Sequence, residues 1–184
     1  MKWAHKPEGN SKHVKGSGVP APGKAFVNLD GAMKHFSVVR HMRLLNCVIA
    51  GAGVFVGFTV ASQQLAFSIK LLTGMLSAFL ITAAGNLIND FFDREIDKRA
   101  WKETPLAKGE LSPMAVLAAS FVLFLAGVVA AYAINDSAFL IACIVSALMI
   151  LYSAVMQNHK YIGNVVVAAG TGLTIIFGAS IVGN

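Results

Sequence analysis

Residues 86 to 97 read NLINDFFDREID and come at the end of a strongly apolar segment. Asn89, Asp93 and Asp97 recur every four residues, so a helix places them on one face, each one turn from the next. Asn86 joins that face. Stacked acids repel one another on a bare helix, whereas carboxylate oxygens suit Mg²⁺, which takes its remaining ligands from water and phosphates. The stretch therefore predicts a helix face that holds Mg²⁺ and, through it, a diphosphate.

A solvated helix end at a membrane surface is the alternative interpretation of the same residues. Arg94, Lys98 and Arg99 are spaced so that they could pair with the acids on a helix. We favour the metal site because the acids continue the turns of a hydrophobic helix. Ionisable groups are costly there and are functional by default.

Composition excludes an ordinary soluble domain. The 184 residues are 56% hydrophobic and only 13% charged, which is typical of an integral membrane protein. Eight of the fifteen Lys and Arg residues precede residue 44, within or next to a basic arm over residues 1–36 that we predict to be disordered. Attraction to anionic lipid explains this arm without a nucleic-acid partner. Cys47 and Cys143 lie in apolar segments and are interpreted as small core residues.

Five segments have the length needed to span a bilayer. They are roughly Leu44–Ala61, Ile69–Phe91, Met114–Ile134, Ser137–Met156 and Ile162–Val182. The connections alternate between basic and uncharged, and basic connections mark the cytoplasmic side. We therefore predict a multi-pass protein of the cell membrane with a cytoplasmic N-terminus. The acidic stretch and the loop around His159 are expected on that same side.

Small and polar residues inside the spans predict how the helices pack. Small residues let helices approach closely in lipid, and packing is the expected role of the glycines in the first and fifth segments. These glycines are Gly53, Gly57, Gly170, Gly178 and Gly183.

Polar residues collect at the cytoplasmic ends of the spans. Arg43, Asn46 and Asn164 lie at the same predicted depth as the acidic face, with Tyr152, Ser153 and Gln157 at that level. Any one of them alone would be an interfacial anchor or a helix cap. Their convergence at one depth predicts a single polar cavity next to the acidic face.

Three stretches resemble the UbiA superfamily of intramembrane prenyltransferases. NDFFDREID, residues 89–97, is similar to the first Asp-rich motif of that family, N-D-x-x-D-x-x-x-D. Residues 43–46, RLLN, resemble its R-x-x-N, and residues 152–164 resemble the stretch between its fourth and fifth helices. RLLNCVIAG and GNVVVAAGTGLTIIFGA look most like the archaeal branch. That branch attaches a geranylgeranyl group to geranylgeranylglyceryl phosphate in ether-lipid synthesis.

The resemblance implies an all-α, polytopic transmembrane helix bundle, with residues 37–184 as the N-terminal part of a roughly nine-helix fold. It also implies a Mg²⁺-dependent transfer from a prenyl diphosphate, expected to be geranylgeranyl diphosphate, to a membrane-associated lipid acceptor. An aromatic acceptor, of the quinone or haem type, is the alternative. The metal ligands would be Asn89, Asp90, Asp93 and Asp97, of which Asp93 and Asp97 would be catalytic. Arg43, Asn46, Asn86, Lys160 and Asn164 would bind substrate.

The chain departs from the family pattern in two respects. It lacks the second Asp-rich motif, and Ala100 and Thr104 stand where the family usually has Asn and Arg, although Pro105 and Gly109 are kept. Three explanations remain open: a fragment of a longer protein, which we expect, a pseudo-enzyme, or a half that needs a partner. We expect little turnover by the chain alone. A non-catalytic membrane subunit or remnant is the second hypothesis, and a transporter fragment ranks last because the polar residues cluster at one end.

Overall fold

A computed structural model describes residues 43–65, 67–101, 104, 106–156 and 160–182, and the side chains of these except 156 and 160–167. The predicted arm over residues 1–36 lies outside the described residues. Every secondary-structure element in the described ranges is helical, which confirms the predicted all-α fold.

In the part of the chain that the structure describes, five α-helices follow one another, and their bounds agree with the predicted spans to within a few residues except at the end of the second. They are α1 (Leu44–Ser62), α2 (Ile69–Arg99), α3 (Pro113–Tyr132), α4 (Asp136–Leu151) and α5 (Lys160–Ser180). A π-helical turn, Tyr152–Met156, extends α4. The second helix runs two turns beyond the predicted membrane boundary, so the whole acidic stretch is helical.

Local sequence explains where these helices begin. Ser68 and Asn135 cap α2 and α4, because their side-chain oxygens accept hydrogen bonds from the amides of Leu71 and Ala138 at 3.1 and 2.8 Å. Pro113 occupies the first turn of α3, where its missing N–H costs nothing. At the other end of α2, Lys98 and Arg99 lie in the last turn, where positive charge favours the helix dipole.

Contacts between helices fix their directions. Gly51 and Val54 of α1 lie near Met75 and Gly74 of α2, while Arg43 reaches Asp90, so the two helices are antiparallel. The Ser77 hydroxyl of α2 donates to the Gly127 carbonyl of α3 at 2.8 Å, and Leu87 packs with Val116, so these two helices are also antiparallel. Gly85 of α2 lies near Met149 of α4, and Thr174 and Gly178 of α5 lie near Gly53 and Phe58 of α1. The starts of α1, α3 and α5 and the ends of α2 and α4 therefore meet at one end of the bundle, called the polar end below.

Glycines bring α1 and α5 into backbone contact, as the sequence predicts for Gly53, Gly57 and Gly178. A Cβ atom at Gly57 would collide with the Ile175 carbonyl, and one at Gly178 with the Val54 carbonyl. Helices in lipid gain stability from this close approach. Gly170 is different: no atom of the described residues lies within 4 Å of an added Cβ, so the described part of the structure gives it no partner for the expected role in packing.

Within the described residues, four helices are long and apolar enough to cross a membrane: α1, α2, α3 and α4 with its π turn. Large apolar side chains cover their outer faces, including Val122, Leu125 and Leu148, which suits a lipid environment. In α5 the described apolar part is Ala168–Ser180, which is shorter than a span, and the fifth span stays a prediction.

Candidate functional site at the polar end

The acidic face occupies the last three turns of α2. We use this name for Asn89, Asp90, Asp93 and Asp97, the predicted metal ligands. The Asn89 amide donates a hydrogen bond to the Asp93 carboxylate at 2.7 Å, which joins two successive turns. Asp97 is only 7% exposed although it lies near the end of the helix. Buried carboxylates in proteins are paired, hydrogen-bonded or bound to a metal.

The neighbouring bases of α2 turn toward a different acid. Arg94 lies 3.6 Å and Lys98 3.3 Å from the Glu95 carboxylate. Arg94 also donates to the Phe91 carbonyl at 2.7 Å and stacks over the Phe91 ring. Glu95 points away from the acidic face, because the six residues from Asn89 to Glu95 rotate the side-chain direction by about 240° around the helix. These two contacts belong to the solvated side of the helix and leave the acidic face a separate feature.

Arg43 connects the start of α1 to the acidic face. Its side chain lies 3.6 Å from the Asp90 carboxylate, with the Arg43 side chain 55% exposed and that of Asp90 12% exposed. The Arg43 backbone adopts a left-handed conformation with φ of 45°, and its carbonyl accepts a hydrogen bond from the Asn46 amide at 2.8 Å. An exposed guanidinium held beside a mostly buried acid is placed to bind an anion at the edge of the bundle.

A cleft of about 410 Å³ runs from this point into the bundle. Its polar mouth is formed by one end of α1, α2 and the π turn: Arg43, Asn46, Asn86, Asn89, Tyr152 and Ser153. Below the mouth the walls become apolar, with Ile49, Ile81, Val145 and Met149, and the deepest lining residues include Ala142 and Phe177. From Asn89 to Ser77 the wall follows twelve residues of α2, or about 18 Å. This shape suits an elongated amphiphile with its polar group at the mouth.

The π turn contributes to the mouth in a way that hydrophobic pattern does not reveal. It follows α4 without a break and carries Tyr152 and Ser153, which line the mouth; the Ser153 side chain is almost fully buried. Single π turns inside helices occur frequently at functional sites. The sequence places both residues at the right depth, but gives no sign of the change in helical geometry.

The acidic face fits Mg²⁺ as part of a site and not as a complete cage. In the described part of the chain, no three His, Cys, Asp or Glu side chains lie close enough to hold a metal ion. Residues four apart on a helix are separated by about 6 Å along the axis, so one helix offers only a ladder of oxygens. Mg²⁺ keeps several waters and binds through one or two carboxylates plus substrate phosphates. The residues present supply that partial set.

The structure brings together most of the predicted site residues. Arg43, Asn46, Asn86 and Asn89 share the mouth of the cleft, and the remaining acids follow on the next turns of α2. The Asn86 amide also lies 4.0 Å from the Cys47 sulfur, and Cys47 is buried as predicted. Lys160 and Asn164 belong to the first turns of α5, but their side chains lie outside the described set. Gln157 and His159 lie outside the described residues.

Sequence reasoning missed the interior of the cleft. Thr82, Gly85, Thr171 and Thr174 line its walls, yet they are ordinary residues of apolar helices when taken one at a time. Their shared face appears only after α2 and α5 have been placed beside each other. The sequence signal that could have indicated these cleft-lining residues is the presence of small or hydroxyl-bearing residues within the spans.

Comparisons with known proteins agree with this arrangement. Residues 50–184 match the UbiA prenyltransferase family. A digeranylgeranylglyceryl phosphate synthase of Methanothrix thermoacetophila is 38% identical over 137 residues, covering 74% of this chain and 51% of that protein. The synthase of the same name from Thermococcus kodakarensis is 41% identical over 138 residues, covering 75% and 50%. The chain thus spans about half the length of the curated relatives it matches.

Solved structures show the same fold. One, solved for a digeranylgeranylglyceryl phosphate synthase in membranes, is 31% identical with a TM-score of 0.75, covering 81% of this chain and 53% of that one. A UbiA homolog from Archaeoglobus fulgidus bound to GPP and Mg²⁺ is 22% identical with a TM-score of 0.62, over 82% and 54%. The second likeness concerns the fold alone. With a family match over most of its length, relatives above 30% identity and a helical bundle of this type, the chain is a multi-pass membrane protein that belongs to the UbiA prenyltransferase family.

Proposed function

We propose that this protein takes part in the Mg²⁺-dependent transfer of a geranylgeranyl group from geranylgeranyl diphosphate to geranylgeranylglyceryl phosphate. The observation that supports it best is the continuity of the acidic face, the polar mouth and the apolar cleft along one side of α2. A prenyl diphosphate has the same order of parts, two phosphates followed by a branched hydrocarbon. The names of the relatives at 34–41% identity support the same substrates.

Each part of the site has its own task in the transfer. The acidic face would hold Mg²⁺, which when bound supplies positive charge to the departing diphosphate. Arg43 and the amides of Asn46 and Asn86 would bind phosphate oxygens at the mouth, while the cleft keeps the tail out of water. The C–O bond to the diphosphate breaks, the acceptor hydroxyl oxygen bonds to the freed allylic carbon, and its proton is released. The products are an ether and inorganic diphosphate.

We also propose that the polar end faces the cytoplasm in the cell membrane. Arg43, Lys98, Arg99 and Lys108 are found at this end, whereas Lys70 is the basic residue at the other end of the described helices. An excess of Lys and Arg marks the cytoplasmic side of membrane proteins. The mouth of the cleft would then open at the cytoplasmic surface of the membrane.

A chimeric protein tests the proposed reaction directly. The matched residues of this chain replace the equivalent residues of the Thermococcus kodakarensis relative, and product is followed by mass spectrometry. We expect Mg²⁺-dependent formation of digeranylgeranylglyceryl phosphate, with no transfer to an aromatic acceptor such as 4-hydroxybenzoate. A stable chimera that prenylates the aromatic compound instead, or neither acceptor, would contradict the proposal.

Replacing Arg43 tests the phosphate end of the site. Arg43→Gln is expected to weaken Mg²⁺-dependent binding of geranylgeranyl diphosphate by about tenfold to a hundredfold, since a hydrogen bond to a charged group contributes about 1.5–3 kcal/mol. The affinity of Arg43→Lys should lie between that of the unaltered chain and that of Arg43→Gln, because lysine keeps the charge but lacks the planar guanidinium group. Lys70→Gln, which removes a positive charge at the opposite end, is the control. Equal affinities for the Arg43→Gln and Lys70→Gln variants would remove Arg43 from the site.

A further inference from the structure

One glycine lies where the cleft needs space. Gly170 of α5 lines the cleft, and among the described residues a Cβ atom built on it would meet no atom within 4 Å. It therefore differs from Gly57 and Gly178, where backbone atoms of the neighbouring helix occupy the space that a side chain would need. Glycine in a helix interior costs about 0.5–1 kcal/mol relative to alanine, so a position without a packing partner needs another reason for it.

The position of Gly170 along the cleft follows from the contacts between helices. Thr174 lies against Gly53, and Gly178 against Val54 and Phe58, so α1 and α5 run in the same direction. Gly170, one turn before Thr174, is then level with Ile49 in the middle of the wall. Phe177 lies seven residues further along α5, about 10 Å deeper.

The deep end of the cleft is closed by residues of the hydrophobic core. Ala78, Ala142 and Phe177 line the cleft and also belong to the main core cluster, together with Ile134 and Ile181 behind them. Phe177 is 5% exposed and Ala142 is 2% exposed, so the floor is packed. A tail that enters at the mouth passes Gly170 halfway and ends against this floor.

We propose that Gly170 is a specificity-determining residue that keeps the middle of the cleft open for the far isoprene units of a long prenyl diphosphate. This inference rests on the proposed function, because it names the part of the donor that the cleft accepts. A side chain at position 170 excludes the far units and leaves room for the first ones near the mouth. The residue acts by shape alone and takes no part in the chemistry.

A matched pair of glycines on the same helix provides the test. Gly172 also has no atom of the described part of the chain within 4 Å of an added Cβ, but it is not among the residues that line the cleft. The full 184-residue chain, as Gly170→Leu or Gly172→Leu, is placed in lipid nanodiscs with Mg²⁺, and binding of geranyl and geranylgeranyl diphosphate is measured. We expect Gly170→Leu to weaken geranylgeranyl diphosphate binding about tenfold or more while changing geranyl diphosphate binding less than about twofold. Gly172→Leu should bind both as the unaltered chain does.

A second pair tests the floor of the same cleft, in case Gly170→Leu does not fold. Ala142→Leu fills the deep end, whereas Ala147→Leu adds the same volume on the exposed side of α4. Ala142→Leu is expected to weaken the binding of geranylgeranyl diphosphate more than that of geranyl diphosphate, as is expected of Gly170→Leu. Equal losses for both ligands, no loss at all, or the same selective loss in the control variants would overturn the inference. Failure of the unaltered chain to bind either diphosphate would overturn the proposed function as well, which separates the two outcomes.

Discussion

Asp93→Asn and Asp97→Asn are each expected to abolish prenyl transfer, with kcat/KM falling about a thousandfold or more. The substitution keeps the size of the side chain and its oxygen but removes the charge that favours Mg²⁺. Metal stabilisation of a leaving group is worth several kcal/mol, and each 1.36 kcal/mol is tenfold in rate. The measurement is product formation by the chimera that carries each substitution, together with the Mg²⁺ dependence of geranylgeranyl diphosphate binding to the chain itself.

Glu95→Gln is the matched control for these two variants. It removes a carboxylate from the same turns of α2, but Glu95 contacts Arg94 and Lys98 on the solvated side. We expect its activity to stay within about threefold of the unaltered protein, since exposed ion pairs contribute about 0–1 kcal/mol. Full activity in the Asp93 or Asp97 variant, or an equal loss in Glu95→Gln, would show that the acidic face is not the metal site.

Gly178→Leu is expected to produce the largest loss of stability. A Cβ atom there would run into the Val54 carbonyl and lie 2.9 Å from the Phe58 amide nitrogen, both of them backbone atoms of α1 that cannot turn aside. Overpacking costs about 1–3 kcal/mol even where side chains can move, so the cost here is at or above that range. We expect the melting temperature in detergent to fall by about 6 °C or more, or the protein not to accumulate.

The same variant should lose ligand binding, because α1 and α5 form two walls of the cleft and would be pushed apart. Gly172→Leu again serves as control, with no atom in the way of its side chain. Gly178→Ala should give a smaller effect in the same direction. If Gly178→Leu melts at the same temperature as Gly172→Leu, the close approach of α1 and α5 does not hold.

Much of the fold could be predicted because lipid leaves few choices. A chain in hydrocarbon must satisfy its backbone within each segment, so apolar length and interrupting polar residues mark the helices. Leu44 and Ile69 are correctly predicted as helix starts for this reason. The predicted span ends at Phe91, and the helix continues through the acidic stretch to Arg99, as the spacing of the acids predicts, because length in lipid does not limit a helix that emerges into water.

Part of the candidate site could also be predicted from the sequence, and part could not. The spacing of Asn89, Asp93 and Asp97 is a property of one helix and could be recognised from the sequence. The approach of Arg43 to Asp90 depends on the antiparallel placement of α1 and α2, which the sequence suggested only through equal depth. The role of Gly170 depends on four helices at once. The sequence around Gly170 is typical of a packing glycine. Gly170 differs from Gly178 only in having no described atom close to where its side chain would be.

The binding of a prenyl diphosphate with and without Mg²⁺ tests the central claim most directly. Isothermal titration calorimetry of geranylgeranyl diphosphate into the full chain in nanodiscs needs no turnover and no acceptor. We predict saturable binding with Mg²⁺ that weakens about a hundredfold or more when the metal is chelated, and that is lost in the same way in Asp93→Asn. Binding of equal strength with and without the metal, or no binding in either condition, would contradict a metal-held diphosphate at the acidic face.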